Sequence, residues 1–270
     1  MADQKKTPKI DLKAVKKPYL KGAIFDTTVI KSCLAMAGCM LIMMLAYLLL
    51  GIMMIFDNRI LSIILNAVML GGVYMVFYAS GMARGSTAVN EGEILYRRKE
   101  TNREVSKVEL DTCYHPLKGF LIGLLGTLPY FLVALVFAFI TTRQMTSVGA
   151  LPSWVSSMSG RTEVLAPLSY YTSGAGLSVT DIMRIFVRMN VMPYVNMFNS
   201  SDMDAMFLLE RIAPVLILIP GLCYGYGYTR GESVRTKVHA DIALGKKKLA
   251  KKQRREKKRR LQPKEPTRLN

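Results

Sequence analysis

The sequence predicts an all-α integral membrane protein with four transmembrane helices, both termini in the cytoplasm, and an external loop carrying an interfacial amphipathic helix. Two observations predict it. The apolar residues are gathered into four long runs, and the Lys and Arg residues between the runs alternate between many and few. Across 270 residues the formal net charge is +18, so a greasy chain is also strongly basic.

Ser32 to Phe56 gives 25 residues without a charge, and Ile60 to Met82 gives 23 more. Phe120 to Thr142 is a third run, and Ile212 to Tyr228 a shorter fourth. About 20 apolar residues cross the ~30 Å hydrocarbon core at ~1.5 Å per residue. Lipid offers no partner to the backbone, so runs of this length are helices. The predicted spans are 32–56, 60–82, 120–142 and 205–228. The first is preceded by a 31-residue arm and followed by no small-residue cleavage site, so it reads as an uncleaved span and not a signal peptide.

Orientation follows from the basic residues. Segment 1–31 carries eight, 57–59 one, 83–119 seven, 143–204 four and 229–270 sixteen. The positive-inside rule then puts the arm 1–31, the loop 83–119 and the tail 229–270 in the cytoplasm, and the loop 143–204 outside. The reverse arrangement would place at least 31 of the 37 basic residues outside. None of the four cysteines (Cys33, Cys39, Cys113, Cys223) falls in the external loop, so no disulfide framework is expected there. The expected location is a bacterial cytoplasmic membrane.

Between the spans, Asp57, Asn58 and Arg59 join the first two helices as a tight hairpin. The second span is expected to run on as a helix through Gly85 towards Arg97. Ser106 and Glu109 form a capping box for a short helix ending near Cys113. In the external loop, Gly149, Pro152, Gly160, Pro167, Gly174 and Gly176 argue for irregular chain, with Trp154 as a headgroup anchor. From Asp181 to Phe198 the pattern turns amphipathic, with Asp181, Arg184 and Arg188 on one face and Pro193 as an interruption; an interfacial or re-entrant helix fits better than a fifth span. The last helix is expected to start at Asp202 or Met203, to kink at Pro214 and Pro220, and to continue to Gly245. Small residues (Ala67 and Gly71, Gly81 and Gly85, Gly123 and Gly126, Gly221 and Gly225) mark close helix contacts, within the bundle or with another subunit.

No Walker loop, HExxH, GxSxG or paired CxxC is present, and the chain is expected to be non-enzymatic, with no cofactor and no metal site. Asp111, Cys113 and His115 alternate, but a capping helix would scatter them and no fourth zinc ligand accompanies them. Cys33, Met36, Met40 and Met43 share one helical face, and Met40 and Met44 form an MxxxM. This resembles the methionine pattern of copper transporters of the Ctr type, which implies Cu(I) handling through soft sulfur ligands. The GxxxG that follows MxxxM in those proteins is absent here. Of the polar residues in or beside the spans, Asn66, Glu210 and Arg211 make up a polar-gate reading, with Arg184 or Asp181 as partners for the charges. On that reading the chain is a transporter or channel component, working with other membrane subunits or with itself.

The tail carries the main expectation. Lys246, Lys247, Lys248, Lys251, Lys252, Arg254, Arg255, Lys257, Lys258, Arg259 and Arg260 put eleven cations in fifteen residues, with one acid and no aromatic. Such a cluster binds a polyanion. Anionic lipid of the inner leaflet is one choice, at ~1 kcal/mol per residue near the surface. RNA, above all a ribosome, is the other, through phosphate contacts that weaken with salt. The expected function is an accessory, scaffold or tethering subunit built on this contact.

Overall fold

The computed structural model describes residues 16–54, 56, 58–142, 178–198 and 202–261. Every element among them is a helix: α1 (Thr27–Met53), α2 (Arg59–Glu100), α3 (Lys107–Asp111), α4 (Pro116–Ile140), α5 (Val179–Asn190), α6 (Met192–Met197), α7 (Met203–Thr229) and α8 (Gly231–Leu261). Among the described residues four helices are long and apolar enough to cross a membrane: α1, α2, α4, and α7 with the start of α8. The chain is an integral membrane protein. Trp154 and the glycine- and proline-rich stretch around it lie outside the described residues.

Local chemistry sets the helix ends. Asp26 accepts from the Thr28 N–H at 3.1 Å, so α1 starts five residues before the uncharged run and takes Lys31 into an exposed turn. Asn58 caps α2 by accepting from the Ile60 N–H at 3.1 Å. At α4 the imidazole of His115 accepts from the Leu117 N–H at 3.3 Å, and Pro116 fills the first helical position, where no N–H is needed. The Ser178 N–H donates to Asp181 at 3.2 Å and starts α5. Pro193 falls in the first turn of α6, which is why α5 and α6 are two helices. By contrast, α7 runs through both Pro214 and Pro220 without interruption.

α7 is the hub, packing along α4 and along α2, while α1 packs on α4. Glycine faces permit these contacts. A Cβ at Gly81 would stand 2.1 Å from the Tyr224 carbonyl oxygen, and one at Gly123 would stand 2.2 Å from that of Gly221. Gly71 meets nothing, so the spaced glycines of α2 are divided between α7 and open space. The expected tight α1–α2 hairpin is not formed: α1 and α2 leave their short link and diverge. Between them opens an apolar cleft of about 870 Å³. α5 packs on α1, α4 and α7, and α6 on α1 and α2, so the pair plugs the far end of the bundle. Val187, Val191 and Pro193 are buried there.

At the opposite, basic end, α2 and α8 run on together. Gly85 meets Gly231 and, eight residues further along each helix, Glu93 meets His239, so both helices advance in step. The extended chain before α1 is stitched on by Leu20 N–H to Gly92 O and Gly22 N–H to Tyr114 O, each 3.2 Å. Tyr114 stacks on Tyr228 at 5.3 Å and meets Tyr19 edge-on at 6.0 Å. Burial, reinforced by Glu232, pushes the Tyr19 phenol up to about 12. Residues 16–26, the described start of the arm 1–31, thus pack against the helices.

Candidate functional site

Three polar constellations stand out. The first joins α4, α5 and α7 around Glu210, which is 3% exposed, with Arg184 at 5%. Arg184 Nε donates to Glu210 Oε1 at 3.1 Å, and Arg188 reaches the same oxygen at 2.6 Å. The Thr141 hydroxyl donates to Glu210 Oε2 at 2.6 Å. Arg184 also meets Asp181 at 3.3 Å, donates to the Thr142 carbonyl at 3.2 Å, and lies over the Phe137 ring. Two carboxylates therefore face two guanidiniums, and the donors of Arg184 are largely used. Arg211 takes no part: it is exposed and lies 4.4 Å from the centroid of the Phe207 ring. Adjacent helical residues point ~100° apart, so one turns inward and the other out.

The second constellation is at Asn66, fully buried in α2. Its amide donates to the Ser62 carbonyl at 2.8 Å, and its Oδ1 accepts from Asn196 of α6 at 3.4 Å. Asn196 donates in turn to Gly51 O at 2.9 Å. Deeper along α2, the hydroxyls of Tyr74 and Tyr194 meet at 2.6 Å. Asn66 thus ties α6 to α1 and α2, while Glu210 ties α5 to α4 and α7. The three residues of the gate reading fall into separate surroundings.

At the basic end, Glu93 of α2 is buried against His239 Nε2, 2.8 Å from Oε1, and against Arg235 at 3.3 Å. Arg235 also donates to Asn90. This cluster clamps α8 to α2. The sequence carries no local sign of it, because Glu93 and His239 are remote in the chain and neither sits in a motif. Beyond it α8 continues to Leu261, well past Gly245, so Lys246 to Arg260 all lie on one helix. Leu249, Lys252 and Arg254 are exposed.

The sulfur-bearing residues are dispersed. Met36, Met40 and Met43 pack in the bundle core with Met206, and Met44 accepts from the Asn190 amide at 3.3 Å. Cys113 is wholly buried, its thiol pushed up to about 11 by burial first and by nearby Glu91. His115 serves as the α4 cap, and among the described residues no three His, Cys, Asp or Glu side chains are grouped as a metal site. No family model, curated protein or solved structure matches this chain, so the reading of its function rests on these side chains and their placement.

Proposed function

We propose that the chain is a non-enzymatic membrane tether. On this reading it sits in a bacterial cytoplasmic membrane with both termini inside, and α8 holds out Lys246 to Arg260 to a macromolecular polyanion. Folded RNA of the ribosome is the class that fits.

One observation carries the reading: the basic segment lies on a helix that continues α7 and is clamped to α2 by Glu93, His239 and Arg235. At ~1.5 Å per residue, Lys246 stands ~22 Å beyond Gly231 and Arg260 ~44 Å beyond it. The Debye length in physiological salt is ~8 Å, so a lipid surface at the level of Gly231 attracts these charges weakly. Nor does the segment offer an apolar face. Between Lys246 and Arg260 the sequence holds only two apolar residues, Leu249 and Ala250. A helix lying on lipid needs a charged side and a greasy side. Charge on all sides suits a helix entering a groove of phosphates, which Lys and Arg contact without aromatic stacking.

The test uses purified protein in discs of neutral phosphatidylcholine. Full-length protein and a chain ending at Gly245 are titrated with ribosomal RNA at several salt concentrations. The expected result is binding by the full chain only, with affinity falling linearly in the logarithm of salt. Equal binding by both chains, or none by either, overturns the reading.

A second reading, a transport component, draws on the buried ionised pair Arg184–Glu210, since charges inside a bundle often mark a conduction path. Glu210→Gln separates the two. A tether keeps its RNA affinity with that change, whereas a pathway past the Arg184–Glu210 pair loses ion or solute flux in liposomes.

A further inference from the structure

We propose that the cleft between α1 and α2 binds one molecule of an anionic glycerophospholipid, with its acyl chains in the cleft and its phosphodiester at Arg84 and Lys118. The proposal is independent of the tail.

The cleft exists because α1 and α2 diverge, and its wall is formed by side chains such as Met36, Ile42 and Met43 facing Met69, Val76 and Phe77. Its volume of about 870 Å³ lies near the top of the ~300–1,000 Å³ range of small-molecule sites. From Ser32 to Ala46 it runs ~21 Å along α1, more than the ~15 Å depth of one hydrocarbon leaflet. An acyl chain entering from the basic end can therefore lie along it at full length.

That end is polar. Ser32, Arg84, Thr87 and Tyr224 line both the apolar cleft and a second cavity of about 210 Å³, which adds Thr28, Glu91 and Lys118. Arg84 lies ~37 Å along α2 from Arg59, beyond a ~30 Å hydrocarbon core and hence at headgroup level. It is exposed and has no hydrogen-bond or ion-pair partner among the described residues. Lys118 is buried, and its ammonium donates to Asp111 O at 2.6 Å and to the Thr28 hydroxyl at 3.2 Å. An ammonium has three N–H donors, so one remains for a phosphate oxygen. Glu91 in the cavity wall, with Asp26 and Asp111 behind it, already bears on Lys118, so the exposed guanidinium of Arg84 is the cation left for a phosphodiester. A helix of a second copy laid over the cleft would instead cover Arg84 and leave its charge without a counter-ion, a costly arrangement in lipid.

The test takes delipidated full-length protein in detergent and adds dioleoyl phosphatidylglycerol or dioleoyl phosphatidylcholine, reading retained lipid by native mass spectrometry. One phosphatidylglycerol per chain is expected, retained in preference to phosphatidylcholine. Arg84→Gln should weaken phosphatidylglycerol about tenfold, the loss of one charge-assisted contact, and narrow its margin over phosphatidylcholine, whose choline cation already opposes Arg84. Gly72→Trp projects into the cleft from a position where an added Cβ meets nothing within 4 Å, and it should abolish retention of both lipids. Lipid held by the tail would survive that change. Equal retention of the two lipids by the unaltered chain, retention undiminished in Gly72→Trp, or a lipid-free dimer each overturns the proposal.

Discussion

Glu210 and Arg211 are neighbours in sequence with opposite fates, and the difference predicts opposite sensitivities. Glu210 neutralises two guanidiniums in a buried setting, and removing one partner of a buried pair costs about 3–5 kcal/mol. Glu210→Leu should therefore lower the unfolding temperature in detergent sharply, by scanning fluorimetry. Arg211→Ala should change it little, since an exposed cation–ring contact is worth only about 0.5–1 kcal/mol. Unchanged stability in Glu210→Leu would mean that the network does not hold α5 in place. The cysteines divide in the same way. Cys113 is buried with its thiol held at about 11, so at pH 7.5 it is protonated and shielded, and a maleimide should leave it unmodified until the chain is denatured. Peptide mapping of the native and denatured protein after labelling checks this. That Glu210 finds Arg184 follows from the one-sided charge pattern of Asp181, Arg184 and Arg188. Thr141 does not announce itself, because a threonine ending an apolar run looks like any other helix terminus.

At the scale of elements, close helix crossings predict where a methyl group is tolerated. Gly85→Ala would place a Cβ 2.3 Å from the Tyr228 carbonyl oxygen, which is backbone and cannot yield, so α2 must move off α7. Overpacking of this kind costs about 1–3 kcal/mol. Gly71→Ala meets nothing within 4 Å and replaces a poor helix former, so stability should hold or rise by up to ~1 kcal/mol. Thermal unfolding of the two variants side by side decides it. These crossings also explain the failed hairpin. A short link brings only the ends of α1 and α2 together, and their flanks go where the glycines allow close approach: α2 to α7, and α1 to α4 through Gly126. Sequence spacing identifies the small residues but not their partner. The tail shows another limit. The apolar period of Val234, Val238 and Ile242 ends near Gly245, while the helix itself continues with like charges four apart, as at Lys247 and Lys251 or Lys248 and Lys252. Each such pair costs about 0.2–0.5 kcal/mol, a cost that a polyanion removes. A peptide of residues 246–260 should accordingly be weakly helical by circular dichroism in low salt and gain helix on adding RNA.

The molecule as a whole is polarised. Its basic segments, the Lys16–Glu232 contact and the α2–α8 pair gather at one end, while α5 and α6 close the other. Two independent physical rules act on that polarity. The positive-inside rule concerns insertion, whereas the cleft and the basic stalk concern what the inserted protein can hold, and they agree only if the basic end faces the cytoplasm. There the stalk would meet ribosomes and Arg84 would meet the inner leaflet. The membrane class and the four helices able to cross a bilayer were legible because apolar run length can be compared directly with bilayer thickness. The Glu93–His239 clamp and the α1–α2 cleft were not, since both depend on packing between distant segments. Orientation can be tested without disturbing the bundle. In a background where all four cysteines are replaced by alanine, single cysteines are placed at exposed Thr142 and at exposed Leu249 and probed with a membrane-impermeant maleimide. Thr142→Cys should label in intact cells, and Leu249→Cys only after permeabilisation. The converse would put the basic stalk outside the cell, away from any ribosome. It would overturn the tether reading while leaving the lipid cleft to be judged on its own measurement.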